Sequence, residues 1–337
     1  MRSAAERNAS AGEPRPRLAR REFLRRAVAG AGAAATFGLA AVSAPAPRRP
    51  APAIDTHVHF YDPTRPEGVP WPPKSNETLY KTRLPKDFRE TAKCLNIAGV
   101  VVVEASAWLQ DNQWILDLAK DDPLIVGFVG HLDPAQPGFS ANLKHLAANP
   151  LFRGVRFDEA MLAACLRQPG FEAILKSLAE QNLSLDVVGG ATMLPLVARA
   201  AKLAPDLRVM IDHLPFREWD ADPAAMSVSL QEVAQLPRVC AKVSDVVRRA
   251  DGHLMSDPAF YFPVLDRLRD LFGPERLIYG SNWPVSDLVA PYSVVHEVVA
   301  AYFERRPVAE ADGFFWKNSL SAYRWQPRGD AAKLLAK

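Results

Sequence analysis

Eight short runs rich in β-branched residues alternate with amphipathic stretches from residue 54 onward, and this alternation predicts a (β/α)8 barrel. Eight such units in about 270 residues match the usual size of this α/β fold, which we expect to form a single domain. The alternative is an open, doubly wound sheet, which normally carries a glycine-rich phosphate loop after its first strand. In this chain, the sequence His57-Val58-His59 stands at that position. The barrel is therefore the preferred prediction.

The predicted strands and helices follow one another in regular order. The strands are predicted at 54–60, 99–105, 124–132, 154–157, 183–188, 208–214, 238–244 and 276–280. The helices between them are predicted at 87–96, 114–120, 141–148, 171–181, 193–204 and 262–272. A proline-rich segment at 61–84 is too long for a plain connection, so we expect it to lie over the mouth of the barrel.

Residues 1–53 are predicted to be a signal peptide and linker, ahead of the barrel at 54–327 and a flexible tail at 328–337. The sequence Arg20-Arg21-Glu22-Phe23-Leu24 precedes a run rich in alanine and glycine at 27–42. This order resembles a twin-arginine export signal, which implies the twin-arginine export machinery as a partner and a periplasmic or otherwise exported protein. A single membrane anchor is the alternative, but the run is short and weakly apolar for a stable span.

The charge of the chain is divided unevenly between these parts. Residues 1–53 contain ten Arg and three Glu, whereas the remainder contains 31 basic and 35 acidic residues. The remainder is therefore slightly acidic, which argues against nucleic acid as a partner. Cys94, Cys165 and Cys240 lie too far apart to form a zinc motif or a disulfide framework.

Polar and ionisable residues stand at the predicted strand ends, within otherwise apolar runs. In a barrel, the side chains that meet the substrate come from the C-terminal ends of several strands. Such groups are costly to bury unless they are paired or used in function. The residues at these ends are His57, His59, Glu104, His131, Arg156, Asp186, His213, Asp245 and Asn282. We therefore expect the reactive site at the C-terminal end of the barrel.

His57 and His59 form the most specific of these signals. Residues two apart on a strand point to the same face, so both imidazoles are expected to converge on one point inside the barrel. A neutral imidazole nitrogen is a common ligand of zinc and similar cations. Asp55 has the same spacing, and we expect it to orient the two rings.

Four motifs in this order resemble the amidohydrolase-related barrel hydrolases: Ile-Asp-Thr-His-Val-His-Phe at 54–60, Gly-Val-Arg at 154–156, Ile-Asp-His-Leu at 211–214 and Tyr-Gly-Ser-Asn-Trp-Pro-Val at 279–285. The branch they resemble most contains sugar lactonases (fucono- and rhamnonolactonase-like) and 2-pyrone-4,6-dicarboxylate lactonase. The resemblance implies that His57, His59 and His213 form an imidazole cluster, which would be the ligand set of a divalent metal such as zinc or manganese. Members of this branch work with or without a metal, so the cofactor stays open.

One position departs from the family pattern. The family usually has aspartate where this chain has Asn282, and that aspartate ligates the metal or accepts a proton from water. An amide does not titrate in the useful range, so Asn282 cannot be the general base. One interpretation gives the base role to another group, with Glu104 as first choice and Asp245, Asp186 and His213 as the others. In the second, a metal alone activates the water, and in the third, the barrel binds a ligand without turning it over.

Arg156, Trp108 and Asp245 are the predicted substrate-binding residues. A guanidinium can hold a carboxylate or polarise a lactone carbonyl through parallel hydrogen bonds. The alternative for Arg156 is an internal ion pair with Asp158 or Asp186, and the alternative for Glu104 is a salt bridge with Arg156 or a lysine. Trp71, Trp108 and Trp283 are expected to wall a pocket for a sugar-like ring, and Asp245 to compensate for the missing carboxylate.

The resemblance and these residues together predict a hydrolase. We expect it to open a lactone, or a related ester or amide, of a small acidic or sugar-derived substrate. His213, Glu104 and Asn282 are the predicted catalytic residues of this reaction. A decarboxylase of the same superfamily and a non-catalytic solute-binding barrel are the two alternatives.

Overall fold

The computed structural model describes residues 51–213 and 223–336, with the side chains of all of these except 223–227. The predicted signal segment lies almost wholly outside the described residues. The strands are β1 (Ala53–Val58), β2 (Ile97–Val103), β3 (Ile125–Gly130), β4 (Phe152–Asp158), β5 (Ser184–Val188), β6 (Arg208–Asp212), β7 (Val239–Val243), β8 (Arg249–Ala250), β9 (His253–Leu254) and β10 (Leu277–Tyr279). The helices are α1 (Pro85–Ala92), α2 (Leu109–Asp121), α3 (Phe139–Ala147), α4 (Glu159–Cys165), α5 (Phe171–Glu180), α6 (Leu194–Leu203), α7 (Pro223–Ala234), α8 (Phe262–Phe272), α9 (Tyr292–Phe303), α10 (Val308–Asp312), α11 (Asn318–Tyr323) and α12 (Gly329–Leu335).

Eight parallel strands form one sheet in the order β1-β2-β3-β4-β5-β6-β7-β10, which curls into a nearly closed barrel. Hydrogen bonds join its first and last strands: the amide of His59 donates to the carbonyl of Trp283 at 2.8 Å, and the amide of Asn282 donates to the carbonyl of His57 at 2.9 Å. Gly280 permits this approach, because a Cβ at that position would lie 2.9 Å from Cβ of His57. The predicted barrel is confirmed, and its closure places the end of β1 beside the segment that follows β10.

All eight predicted strands overlap strands of the barrel, and the six predicted helices overlap α1, α2, α3, α5, α6 and α8. The antiparallel hairpin β8–β9 and the remaining helices were not predicted. Helix α9 shows why: most of its circumference is buried, so its sequence lacks the polar face by which an amphipathic helix is recognised. Within the described residues, no helix is both long and apolar enough to cross a membrane.

Apolar side chains pack on both sides of the barrel wall. The larger core lies between the strands and the surrounding helices and includes Val100, Phe157 and Leu265. A smaller core, which includes Ile54 and Ile278, fills the barrel interior near the N-terminal ends of the strands. Hydrocarbon fills much of this end, whereas the ionisable residues of the predicted site lie in the middle and at the C-terminal end of the barrel.

The chain beyond α11 covers the N-terminal end of the barrel. Tyr323 and Trp325 are buried against the smaller core. The amide of Gln326 donates to the carbonyl of Val126 at 2.7 Å, and the Nε of Arg208 donates to the carbonyl of Ala322 at 2.7 Å. This segment therefore seals the end of the barrel opposite the predicted site.

The structure corrects the prediction of a flexible tail at 328–337. Residues Gly329–Leu335 form α12, in which Ala331 and Leu334 are buried. These two residues lie three positions apart and thus share one face of the helix. A single pair of this kind is too short a pattern to indicate a helix in the sequence. The contacts of these two residues with the barrel are apparent only in the structure.

The packing of α12 can be tested with two neighbouring leucines. Leu334 is 7% exposed, whereas Leu335 is 47% exposed, so Leu335→Ala is a matched control for Leu334→Ala. We expect Leu334→Ala to lower the free energy of unfolding by about 2 kcal/mol because it removes buried methylene groups. Leu335→Ala should change it by less than about 0.5 kcal/mol. Equal midpoints for the two variants in urea denaturation would show that the tail is not packed on the barrel.

Candidate active site

Three imidazoles from two strands meet at the C-terminal end of the barrel. The ring centroid of His57 lies 4.9 Å from that of His59 and 4.3 Å from that of His213. His57 and His59 are buried, whereas His213 is partly exposed. The structure thus brings together the three histidines that the sequence singled out, and their rings enclose a volume suited to a small group of atoms.

The ends of three successive barrel strands adopt a left-handed backbone conformation. The φ angle is 50° at His213 after β6, 55° at Asp245 after β7 and 64° at Asn282 after β10. A residue other than glycine pays a free-energy penalty in this region, and such residues concentrate at functional sites. The repetition at three predicted site residues marks this end of the barrel as the candidate active site.

His59 is held in one orientation by two backbone carbonyls. Its Nδ1 lies 2.9 Å from the carbonyl oxygen of Val103 and 3.2 Å from that of Glu104. Carbonyl oxygens only accept hydrogen bonds, so Nδ1 carries the hydrogen. Burial, together with the charge of Arg156, lowers the pKa of His59 to about 3. His59 is therefore neutral, and its Nε2, which lies 3.3 Å from Oδ1 of Asn282, carries a lone pair.

His57 stands over a buried ionic network. Its Nδ1 lies 3.3 Å from Nζ of Lys242 and 3.6 Å from Oδ1 of Asp212, while its Nε2 is buried without a hydrogen-bond partner among the described residues. Burial and the neighbouring His213 and Lys242 hold the pKa of His57 well below its usual value. His57 is therefore also a neutral imidazole.

Lys242 is the centre of this network. Its side chain is fully buried, with Nζ 2.7 Å from Oδ2 of Asp186 and 2.8 Å from Oδ1 of Asp212. The hydroxyl groups of Tyr323 and Ser184 also donate to Asp186, at 2.6 and 3.0 Å. Burial alone would raise the pKa of Asp212, but Lys242 and His57 outweigh it and hold that pKa well below the usual range. Burial raises the pKa of Asp186 in spite of Lys242.

The sequence analysis missed Lys242 and Asp212 as members of the site and considered Asp186 only as a candidate base. Asp212 was within the motif Ile-Asp-His-Leu at 211–214, and Lys242 lies two positions before Ser244, whose Oγ is 2.9 Å from Nδ1 of His213. A lysine and an aspartate inside apolar strands are the available signal, because neither type is buried without a partner. The partners come from different strands, which is information that one sequence does not carry.

Glu104 and Arg156 pair with each other. Nε and Nη2 of Arg156 each lie 2.8 Å from Oε1 of Glu104, and Nη2 also donates to the carbonyl of Glu104 at 2.9 Å. Burial alone would lower the pKa of Arg156, but Glu104 outweighs it and raises that pKa, so the guanidinium stays charged. This ion pair is the alternative predicted for Glu104, whereas the alternative predicted for Arg156 had Asp158 or Asp186 as its partner.

Among the described residues, the tryptophan ring in contact with the imidazoles is that of Trp71. The ring of Trp71, in the predicted loop at 61–84, lies 6.1 Å from that of His59. Trp71 also lines a small cavity with Tyr61 and Glu104, and among the described residues Trp108 is not part of that lining. Trp108 instead precedes α2 and is partly exposed.

Asp55 does not orient the histidine rings. Its Oδ1 accepts hydrogen bonds from the amides of His57 at 3.1 Å and Ser281 at 2.9 Å, and its Oδ2 accepts one from the hydroxyl of Tyr292 at 3.0 Å. The register of β1 shifts between Asp55 and Val58, which breaks the simple alternation behind the prediction. Asp55 instead fastens β1 to the segment after β10.

The donor atoms described here do not fit a three-ligand metal site. Within residues 51–213 and 223–336, no group of three His, Cys, Asp or Glu side chains is arranged to hold a metal ion. The carboxylate near His57 is Asp212, which is already paired with Lys242. A zinc site normally combines such a carboxylate or thiolate with imidazoles, or uses three imidazoles with open Nε2 or Nδ1 lone pairs. We therefore derive no step through a metal.

Comparisons with known proteins agree with this architecture. The amidohydrolase family (Amidohydro_2) matches residues 54–325. An L-fucono-1,5-lactonase of Burkholderia multivorans is 29% identical over 292 residues, which are 83% of this chain and 98% of that protein. One from Burkholderia ambifaria is 29% identical over 244 residues, which are 71% of this chain and 82% of that protein.

A solved structure shares the same fold. The crystal structure of an amidohydrolase from Burkholderia multivorans with bound zinc has a TM-score of 0.72 and 27% identity, and covers 82% of this chain and 100% of its own. The barrel fold, with polar groups at its C-terminal end, identifies the class of protein, and the match over nearly the whole barrel identifies the family. This chain belongs to the amidohydrolase family, as its four motifs suggested, and it is a hydrolase.

The pairing of Glu104 can be tested against an exposed ion pair. The side chains of Glu104 and Arg156 are 14% and 15% exposed, whereas those of Glu232 and Lys202 are 45% and 58% exposed. We expect Glu104→Gln to lower the free energy of unfolding by about 2 kcal/mol, because it leaves a largely buried guanidinium without its counter-charge. The control Glu232→Gln should cost less than about 1 kcal/mol. Chemical denaturation of both variants measures the difference in the free energy of unfolding. An equal loss in the two variants would contradict the ion pair and leave Glu104 as a candidate general base.

Proposed function

We propose that this protein hydrolyses the lactone ring of a small, acidic or sugar-derived substrate. The observation that carries the proposal is the approach of His57 on β1 and His213 after β6, whose ring centroids lie 4.3 Å apart at the end of the barrel where substrates bind. The 29% identity with two L-fucono-1,5-lactonases over most of the chain supports the choice of a lactone over other esters and amides.

The reaction requires a base for the attacking water, and His213 suits this role best. Nδ1 of His213 lies 2.9 Å from Oγ of Ser244, and a hydrogen bond from Nδ1–H to this hydroxyl makes Nε2 the basic nitrogen. His213 is also partly exposed, unlike His57 and His59, so water reaches it. Glu104, the first choice from the sequence, is engaged by Arg156, and Asn282 cannot accept a proton.

Arg156 provides a positive charge that is complementary to an acidic substrate. Its Nε and Nη2 bind Glu104, and Nη1 has no hydrogen-bond partner among the described residues. In the proposed reaction, His213 removes a proton from water, the water oxygen attacks the lactone carbonyl carbon, and the negative charge on the carbonyl oxygen is stabilised by nearby N–H groups. The ring C–O bond then breaks, and the leaving oxygen receives the proton that His213 took from water, which gives a hydroxy acid and restores the neutral imidazole. Arg156 would bind the carbonyl or an acidic group of the substrate.

The proposed reaction has no step through a metal, because His213 activates the water and no three-ligand group in the described residues is arranged to hold an ion. A non-catalytic binding barrel is the second candidate, and Asn282 in place of the usual aspartate is the observation that favours it. We also propose that the twin-arginine motif at residues 20–21 directs the protein to the periplasm.

An assay of acid release tests the proposed activity. The purified protein is incubated with L-fucono-1,5-lactone and other aldonolactones, and release of acid is followed with a pH indicator. We expect His213→Ala to lower kcat at least about 100-fold, since a general base contributes about that factor. The control His253→Ala, on the exposed hairpin β8–β9, should retain full activity. Dialysis against a chelator should leave the rate unchanged.

Three results would contradict this proposal. Binding of lactones without any acid release would favour the non-catalytic barrel. Release of carbon dioxide from carboxylated substrates, with no action on lactones, would favour the decarboxylase. Loss of activity on chelation, with recovery on addition of zinc or manganese, would show that a metal activates the water.

A further inference from the structure

The ammonium group of Lys242 has three neighbours in the buried network. Its Nζ lies 2.7 Å from Oδ2 of Asp186, 2.8 Å from Oδ1 of Asp212 and 3.3 Å from Nδ1 of His57. A lysine ammonium has three N–H donors and no acceptor. Lys242 therefore donates hydrogen bonds to Asp186 and to Nδ1 of His57, provided that Nδ1 presents a lone pair, and it is paired with Asp212 by charge.

This arrangement determines which nitrogen of His57 carries the hydrogen. Since Lys242 only donates, Nδ1 of His57 must be the acceptor, and in a neutral imidazole the hydrogen is then on Nε2. Asp212 competes for the opposite tautomer, in which Nδ1–H would donate to the carboxylate. Its Oδ1 lies 3.6 Å from Nδ1, however, which is longer than the contact with Lys242 and beyond the range of a good hydrogen bond.

His59 has the opposite tautomer. Its Nδ1–H donates to the carbonyl oxygen of Val103 at 2.9 Å, so its Nε2 carries the lone pair. An acceptor oxygen of Asn282 would face that lone pair at 3.3 Å without making a hydrogen bond. The amide orientation that places its NH2 group toward Nε2 forms one. An aspartate at this position would need a proton or a metal ion between the two acceptors.

We propose that Lys242 is a positioning residue that fixes His57 as the Nε2–H tautomer, so that His57 donates a hydrogen bond to an oxygen bound among the imidazoles. Nδ1 and Nε2 lie on opposite sides of the ring, so the Nε2–H of His57 faces away from Lys242, on a ring whose centroid is 4.9 Å from that of His59 and 4.3 Å from that of His213. It has no protein partner among the described residues. On the proposed function, on which this step rests, the oxygen is that of the lactone carbonyl.

The proposal explains three features together. An Nε2–H group cannot be a metal ligand, in keeping with the lack of a three-ligand group in the described part of the chain. With its amide turned, the neutral Asn282 presents an NH2 donor to Nε2 of His59, whereas an aspartate there would need a metal or a proton. Burying Lys242 with two carboxylates costs free energy, and the function of this buried lysine is then to fix the tautomer of His57.

Nitrogen NMR of the resting protein tests this inference without any substrate. Long-range ¹H–¹⁵N spectra of protein labelled with ¹⁵N-histidine distinguish a protonated ring nitrogen from one that carries a lone pair. The signals are assigned by their loss in His57→Gln and His59→Gln. We expect His57 to be protonated at Nε2 and His59 at Nδ1. Protonation of His57 at Nδ1 would overturn the proposal.

A double variant tests the role of Lys242 itself. Lys242→Met combined with Asp186→Asn removes one positive and one negative charge, so the net charge of the network is kept. We expect the His57 signals to change to the Nδ1–H pattern, because Asp212 is then the only charged neighbour of Nδ1 in the network. The matched control Lys202→Met, at an exposed lysine, should leave the His57 signals unchanged.

The outcomes separate this inference from the proposed function. An unchanged His57 pattern in the folded double variant would contradict the role of Lys242. If the double variant fails to fold, the spectrum of the natural protein still decides the tautomer. The expected tautomers in a protein that releases no acid from lactones would refute lactone hydrolysis and leave the inference about Lys242 intact.

Discussion

The contact of the Lys242 ammonium with two carboxylates and an imidazole is the constraint on which the interior of this barrel depends. An uncompensated charge in a buried site costs several kcal/mol, so Lys242, Asp186 and Asp212 are stable there only as a set. These residues lie on β7, β5 and β6, and His57 above them lies on β1. The contact thus connects four strands directly beneath the three histidines, and it fixes the base of the site.

The network also links the two ends of the barrel. Tyr323 belongs to the C-terminal segment that seals the N-terminal end, and its hydroxyl donates to Asp186 at 2.6 Å. Hydrocarbon fills the interior around Ile54 and Ile278, the charged groups lie in the middle, and the neutral imidazoles stand at the open end. The hydrocarbon and the imidazoles on either side of the charged groups keep water away from them. The low pKa values of His57 and His59 are a direct consequence, because burial disfavours their charged forms.

Much of the fold was predictable because strands and amphipathic helices leave periodic patterns in the sequence, and the His57-Val58-His59 motif located the site. What failed were inferences that needed contacts between distant segments. Lys242 and Asp212 are read as site residues only when both are seen beside His57. Asp55 was misplaced because a shift of register in β1 changes the direction of its side chain. Glu104 was predicted to be the base, but its carboxylate binds Arg156 from β4.

The central claim is that the imidazoles of β1 and β6 surround the reacting oxygen atoms of a small substrate. A crystal structure of the protein with a bound aldonic acid, the product of lactone opening, tests it most directly. The account predicts a carboxylate oxygen within hydrogen-bonding distance of Nε2 of His57, with a second contact to His213 or Arg156. A product carboxylate bound elsewhere, or bridged to the histidines by a metal ion, would contradict it.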